Sequence, residues 1–193
     1  MKFVTFVFVM LAPLLSLIIQ KMYLIEVDPI DFVCEHQKQI KGDPDGLFEF
    51  LTTSLGMEKL LPWLSRFKEA DTRLVGLGKS YRATLNTPIL GEERVYATLT
   101  EYKPRKRLAL EFDDLMRRSV VIRLRSYHDR TLLQASVYFR RTSFLYQYTV
   151  GYIMRMVMKS QLEKSMKNFA ILHANLDGPN QIPNFSKSRV QRV

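Results

Sequence analysis

The hydrophobic pattern of this chain changes period in a fixed order, and that order leaves few folds open. One strand-like run is followed by two short helical pieces, six strand-like runs in succession and one long amphipathic helix. Strands separated by short turns pair with their neighbours, so the order predicts an α+β domain in which a curved antiparallel sheet closes around the last helix. Such a sheet encloses a space, which suits an apolar small molecule.

The runs themselves are short. Residues 32–40 alternate as a strand with Phe32, Cys34, His36 and Ile40 on one face. Gly42-Asp43-Pro44-Asp45 breaks it, and Asp43 can cap a helix whose first position is Pro44 and whose apolar residues are Leu47, Phe48, Phe50 and Leu51. Gly56 reads as the end of that helix, and a second piece over 57–61 runs into Pro62-Trp63. Strand patterns follow at 66–75, 79–87, 94–103, 107–112, 118–127 and 131–140. They are separated by Gly76-Leu77-Gly78, Pro88 with Gly91, Pro104 and His128-Asp129-Arg130. Leu108, Leu110 and Phe112, then Val120, Ile122 and Leu124, then Leu133, Ala135, Val137 and Phe139 repeat at period two, opposite a face carrying Arg123, Arg125, Gln134 and Ser136.

The last element is expected over 144–176, with Ile153, Val157, Met158, Leu162, Met166, Phe169 and Leu172 at helical spacing and Arg155, Lys159, Lys164 and Lys167 opposite. Its start is aromatic (Phe144, Tyr146, Tyr148, Tyr152), and Met154, Met156 and Met158 sit together, a flexible surface that adapts to varied neighbours. Residues 177–193 read as a basic, flexible tail.

Residues 3–19 are uncharged and almost wholly apolar, close to the ~17 residues that a spanning helix needs as a minimum. The bulky Leu17-Ile18-Ile19-Gln20 offers no small-residue cleavage site, so a signal anchor over 1–21 is the first expectation and a cleaved signal peptide the alternative. The anchor reading places the protein as single-pass near its N terminus, in an endomembrane or at the cell surface. Cleavage gives a secreted protein. Residues 22–30 form a spacer before the domain at 31–176. The glycosylation acceptor Asn184-Phe185-Ser186 agrees with an outward placement, whereas the lone Cys34 leans against it and excludes an intramolecular disulfide framework. The net charge of +10 favours anionic partners without choosing among them.

Taken in order, Pro62-Trp63, the Gly76-Leu77-Gly78 turn, Thr100-Glu101-Tyr102-Lys103-Pro104, His128-Asp129-Arg130-Thr131 and the long terminal helix resemble the START/Bet v1-like helix-grip superfamily, in its polyketide cyclase and SRPBCC group. The resemblance covers 32–176 and implies a seven-stranded sheet gripping the C-terminal helix over a hydrophobic cavity. It further implies binding or transfer of lipids, sterols or other apolar ligands, with cyclisation or dehydration in some members. It supplies no shared catalytic motif, and the apolar N-terminal helix is not part of the common domain.

Chemistry is sparse in the sequence. His36, His128 and His173 are far apart and lack metal-ligand spacing. Gly78-Lys79-Ser80 lacks the earlier glycine of a phosphate loop, since Arg73 stands there, and Cys34 has no activating neighbour motif. Glu101, Glu111 or His36 facing a cavity underlies an enzymatic alternative, a cyclase- or dehydratase-like catalyst. Arg105-Lys106-Arg107, Arg117-Arg118 and Arg140-Arg141 lie near strand ends and are expected to form one basic rim. The primary reading is a membrane-anchored domain that binds and transfers a hydrophobic small molecule or lipid. Its ligand wall comprises Trp63, Tyr81, Leu110, Phe112, Ile122, Leu124, Ala135, Val137, Tyr152, Met154 and Met158, with no cofactor and no nucleic-acid partner. The sequence sets no oligomeric state.

Overall fold

The computed structural model describes residues 2–87, 91–127 and 130–176. The expected turns at Pro88 and at His128-Asp129, the tail over 177–193 and the glycosylation acceptor lie outside the described residues. In chain order the elements are α1 (Lys2–Leu24), a single 3-10 turn (Pro29–Phe32), β1 (Cys34–Lys41), α2 (Pro44–Thr52), α3 (Ser54–Leu60) and β2 (Leu64–Glu69). There follow β3 (Ser80–Thr87), β4 (Gly91–Lys103), β5 (Arg107–Phe112), β6 (Arg118–Tyr127), β7 (Arg130–Phe139), α4 (Phe144–Tyr148) and α5 (Val150–Leu176).

The strands form one 7-stranded antiparallel sheet in the order β1-β7-β6-β5-β4-β3-β2. The period-two residues face inward as expected: Leu108, Leu110, Phe112, Val120, Ile122, Leu124, Leu133, Ala135, Val137 and Phe139 are all buried. Against them lies α5, whose buried stripe is Met154, Met158, Leu162, Met166 and Phe169, and α2 and α3 complete one continuous core. This is the helix-grip arrangement, a curved sheet around a long C-terminal helix.

Local chemistry explains the short elements. The Asp43 carboxylate accepts the Asp45 N–H at 3.1 Å with Pro44 at the first helical position, and α2 buries Leu47, Phe48 and Leu51. Thr53 ends α2 and caps α3, its hydroxyl accepting the Gly56 N–H at 3.0 Å. Gly56 therefore does not stop the first helix as its identity suggests. It lies inside α3, where a β-carbon would run into the Phe50 carbonyl, so glycine is required by close backbone approach. β2 also ends at Glu69, earlier than the apolar pattern to residue 75 implies. Asp71 organises the following loop, accepting the Ser80 N–H at 3.0 Å and the Arg73 guanidinium at 2.6 Å.

The expected helix over 144–176 is two helices. Thr149 takes φ −111 and ψ −94 between α4 and α5, and the buried Gln147 locks the joint. Its amide donates to the carbonyls of Phe139 (3.0 Å) and Arg141 (2.6 Å), while the Arg155 guanidinium donates to its side-chain and backbone oxygens at 2.7 Å each. The spacer over 22–30 is docked onto this joint. Val27 N–H donates to Thr142 O at 2.7 Å, and Phe144 N–H donates to Ile25 O at 2.8 Å. Phe32 packs edge-on to Tyr148 with the Arg155 guanidinium 5.0 Å from its ring.

The expectation of a single-pass membrane anchor through residues 3–19 is corrected. Among the described residues, no helix is long and apolar enough to cross a membrane. Gln20 and Lys21 close the apolar run within α1.

Candidate functional site

Two regions of the fold bear on the sequence-predicted sites: the buried apolar cluster between the sheet and α5, and a basic groove at one end of the sheet. In the interior, Trp63, Tyr81, Leu110, Phe112, Ile122, Leu124, Ala135, Val137, Met154 and Met158 belong to one buried cluster. Strand alternation brings in the residues of β5, β6 and β7, the i,i+4 stripe of α5 adds the two methionines, and the α3–β2 junction delivers Trp63. Tyr152 does not join them. It is 54% exposed, because two residues along a helix from Met154 correspond to about 160° around the axis. Ile153 and Met156 point outward with it. The cluster also holds Leu108, Leu162, Met166 and Phe169, which the sequence marks as apolar positions but not as ligand wall, and Leu99, which it does not single out.

Several polar side chains are buried beside this cluster, Lys79, Asp114, Arg118, Gln147, Ser165 and His173 among them. Phe67 stacks on Tyr81 with ring centroids 4.6 Å apart, and burial pushes the Tyr81 phenol up to about 12. Burial likewise pushes Tyr146 up to about 12. Among the described residues, Trp63 Nε1 and Tyr146 Oη are buried with no hydrogen-bond partner. Cys34 is buried at the start of β1, and desolvation raises its thiol pKa against the opposing pull of Lys159 and Arg155.

The carboxylates considered for catalysis are turned away from the interior. Glu101 is bound by Lys103 (3.1 Å) and Arg107 (2.8 Å), and Glu111 by Arg140 (2.6 Å), on the polar side of the sheet. His36 is half-buried on edge strand β1, opposite Ala135. Among the described residues, no group of His, Cys, Asp and Glu side chains is placed to hold a metal ion.

The basic segments do not form one rim, because β5 separates them. Arg105-Lys106-Arg107 occupies the β4–β5 turn, whereas Arg117-Arg118 and Arg140-Arg141 lie at the opposite end, where Arg140 N–H donates to Arg117 O at 2.9 Å. Arg118 is no surface charge at all. It is 1% exposed, with its Nε 2.7 Å from Asp114 and its terminal nitrogen 2.8 Å from Thr87 Oγ1. At the β4–β5 end, a groove of about 680 Å³ is lined by Pro44, Asp45, Lys103, Arg105, Lys106, Arg107, Arg123, Leu124, Arg125 and Ser126.

Comparison with known proteins agrees with this architecture. No family model and no curated protein matches the chain. Among solved structures, it is similar to a Deinococcus radiodurans protein at 18% identity and TM-score 0.56, covering 73% of this chain and 96% of that one. A Thermus thermophilus protein aligns at 12% identity and TM-score 0.57, covering 74% of this chain and 98% of that one. Ara h 8.0201 aligns at 12% identity and TM-score 0.54, covering 74% of this chain and 99% of that one. At these identities the likeness is one of fold, and the chain has the START/Bet v1-like helix-grip fold.

Proposed function

We propose that this domain binds a lipid or other hydrophobic small molecule in the interior between the sheet and α5, against Trp63, Tyr81, Leu110, Phe112, Ile122, Leu124, Ala135, Val137, Met154 and Met158. The supporting observation is Trp63 Nε1, a donor buried in the apolar cluster and left without a hydrogen-bond partner among the described residues. A buried donor with no acceptor costs roughly 1–3 kcal/mol, so a ligand with an oxygen among apolar carbons recovers that cost. Its apolar body gains roughly 25 cal/mol for each Å² removed from water. Carriage of the molecule between a donor and an acceptor is the extension of that reading. The cyclase- or dehydratase-like alternative draws less support, because Glu101 and Glu111 are engaged in ion pairs on the polar side of the sheet.

The test is native mass spectrometry of the full chain purified from cells, followed by extraction of small molecules. A stoichiometric lipid or isoprenoid supports the proposal. The chain has a single tryptophan, so apolar ligands entering beside Trp63 should also shift its emission. An empty protein whose tryptophan emission no apolar probe changes would refute the reading.

A further inference from the structure

We propose that the groove between the start of α2, the β4–β5 turn and β6 is a binding site for a phosphate-bearing group. Its lining carries six cations, Lys103, Arg105, Lys106, Arg107, Arg123 and Arg125, against one carboxylate, Asp45. Internal pairing neutralises part of this charge. Arg105 reaches Asp45 at 2.9 Å, while Lys103 and Arg107 share Glu101. Among the described residues, Lys106, Arg123 and Arg125 have no ion-pair partner.

The register sharpens the point. Arg107 and Arg123 are direct partners across the β5–β6 ladder, and like charges in that position destabilise a sheet. An anion lying between the guanidinium groups reverses the sign of that interaction. The turn beside them is also built for charge rather than for ease of folding. Lys106 N–H donates to Lys103 O at 3.1 Å, with Pro104 second and Arg105 third at φ +65, a left-handed position that favours glycine. An arginine there holds a guanidinium at the groove at a conformational cost of order 1 kcal/mol. Guanidinium forks match phosphate and carboxylate oxygens in pairs, and a mono- or diphosphate, with more oxygens and more charge than a lone carboxylate, can engage several of these cations at once.

Leu124 lines the groove and also belongs to the apolar core, so the anion site adjoins the interior. An amphiphile with a phosphorylated head and an apolar tail therefore fits both places. Placement of the tail rests on the function proposed above; the head site stands without it.

Isothermal titration of the full chain with inorganic pyrophosphate, dodecyl phosphate and dodecanol tests this, using the wild type and a Lys106→Ala/Arg125→Ala variant. Both substituted residues are exposed, and an unchanged melting midpoint checks the fold. The variant should weaken both phosphates by about tenfold or more, a loss of about 1.4 kcal/mol, and leave dodecanol unchanged. Arg105→Gly, which relieves the left-handed φ, should fold at least as well and also weaken both phosphates. Dodecyl phosphate binding more tightly than pyrophosphate identifies a lipid-like head group, and equal affinities identify a free phosphate compound. No binding of either phosphate, or binding that both variants leave unchanged, overturns the proposal. Phosphate binding without dodecanol binding upholds the groove and counts against the interior reading alone.

Discussion

Replacing Asp114 by alanine should destabilise the domain more than most single substitutions. Asp114 and Arg118 have side chains 0% and 1% exposed. The carboxylate accepts three hydrogen bonds, from Arg118 Nε (2.7 Å), Arg118 N (2.8 Å) and Met116 N (3.3 Å). Asp114→Ala removes every one of these acceptors and leaves a guanidinium in the interior with Thr87 Oγ1 as its remaining side-chain partner. Removing one partner of a buried pair costs about 3–5 kcal/mol, chiefly through the charge left without compensation. At roughly 2–4 °C per kcal/mol for a chain of this length, the melting midpoint should fall by about 6–20 °C. Asp114→Ala/Arg118→Met should be more stable than Asp114→Ala alone, since the stranded charge is gone. Urea unfolding of wild type, both single variants and the double variant measures this. A loss under about 1 kcal/mol for Asp114→Ala, or strictly additive effects, would refute the reasoning.

Further outcomes follow from other sites. Gly56→Ala should destabilise by about 1–3 kcal/mol, because backbone rather than a flexible side chain meets the new methyl, and unchanged urea midpoints would contradict this packing. Ultraviolet titration should find Tyr81 and Tyr146 ionising only at about 12, later than ordinary tyrosines. Because their folded pKa is raised, the stability they contribute is present below the ordinary tyrosine range and is lost as pH rises through about 12. Asp71 shows the opposite sign: the Ser80 N–H and the Arg73 guanidinium hold its carboxyl below the ordinary range. Its contribution is present above the unfolded pKa and is lost as pH falls through the folded one, which carboxyl NMR titration would show.

Much of the fold is legible in the sequence because alternation and burial have the same cause. β5 and β6 begin and end where the period-two pattern does, and the inner set in β7 can be read residue by residue. What escapes depends on contacts between distant residues. Gly56 resembles a helix stop until the Phe50 carbonyl is placed against it. The Gln147 joint needs Phe139, Arg141 and Arg155 together, so a continuous helical pattern conceals the break at Thr149. Arg118 reads as a surface charge although a contrary signal exists: it shares parity with Val120 and Ile122, which places it on the inner face, four residues after its partner Asp114. For the buried strand residues parity is sufficient, while the aromatic character of Tyr152 draws it into the expected wall against its helical phase. The groove is half visible, since Arg105-Lys106-Arg107 is a local run, whereas Arg123 and Arg125 reach it only through the β5–β6 pairing.

The sheet order gives the first strand the last one as its neighbour, with Cys34 opposite Val137 and Lys41 opposite Arg130. On a ribosome, β1 is made early and must wait while roughly a hundred further residues emerge before its partner exists. Until then its backbone donors and acceptors are an open edge, and the α5 stripe that covers the same region comes later still. Closure of the domain is thus a late event joining distant parts of the chain, and slow folding follows from that separation. Any truncation that ends before β7 forfeits the closure entirely, leaving two sticky edges in place of a gripped helix.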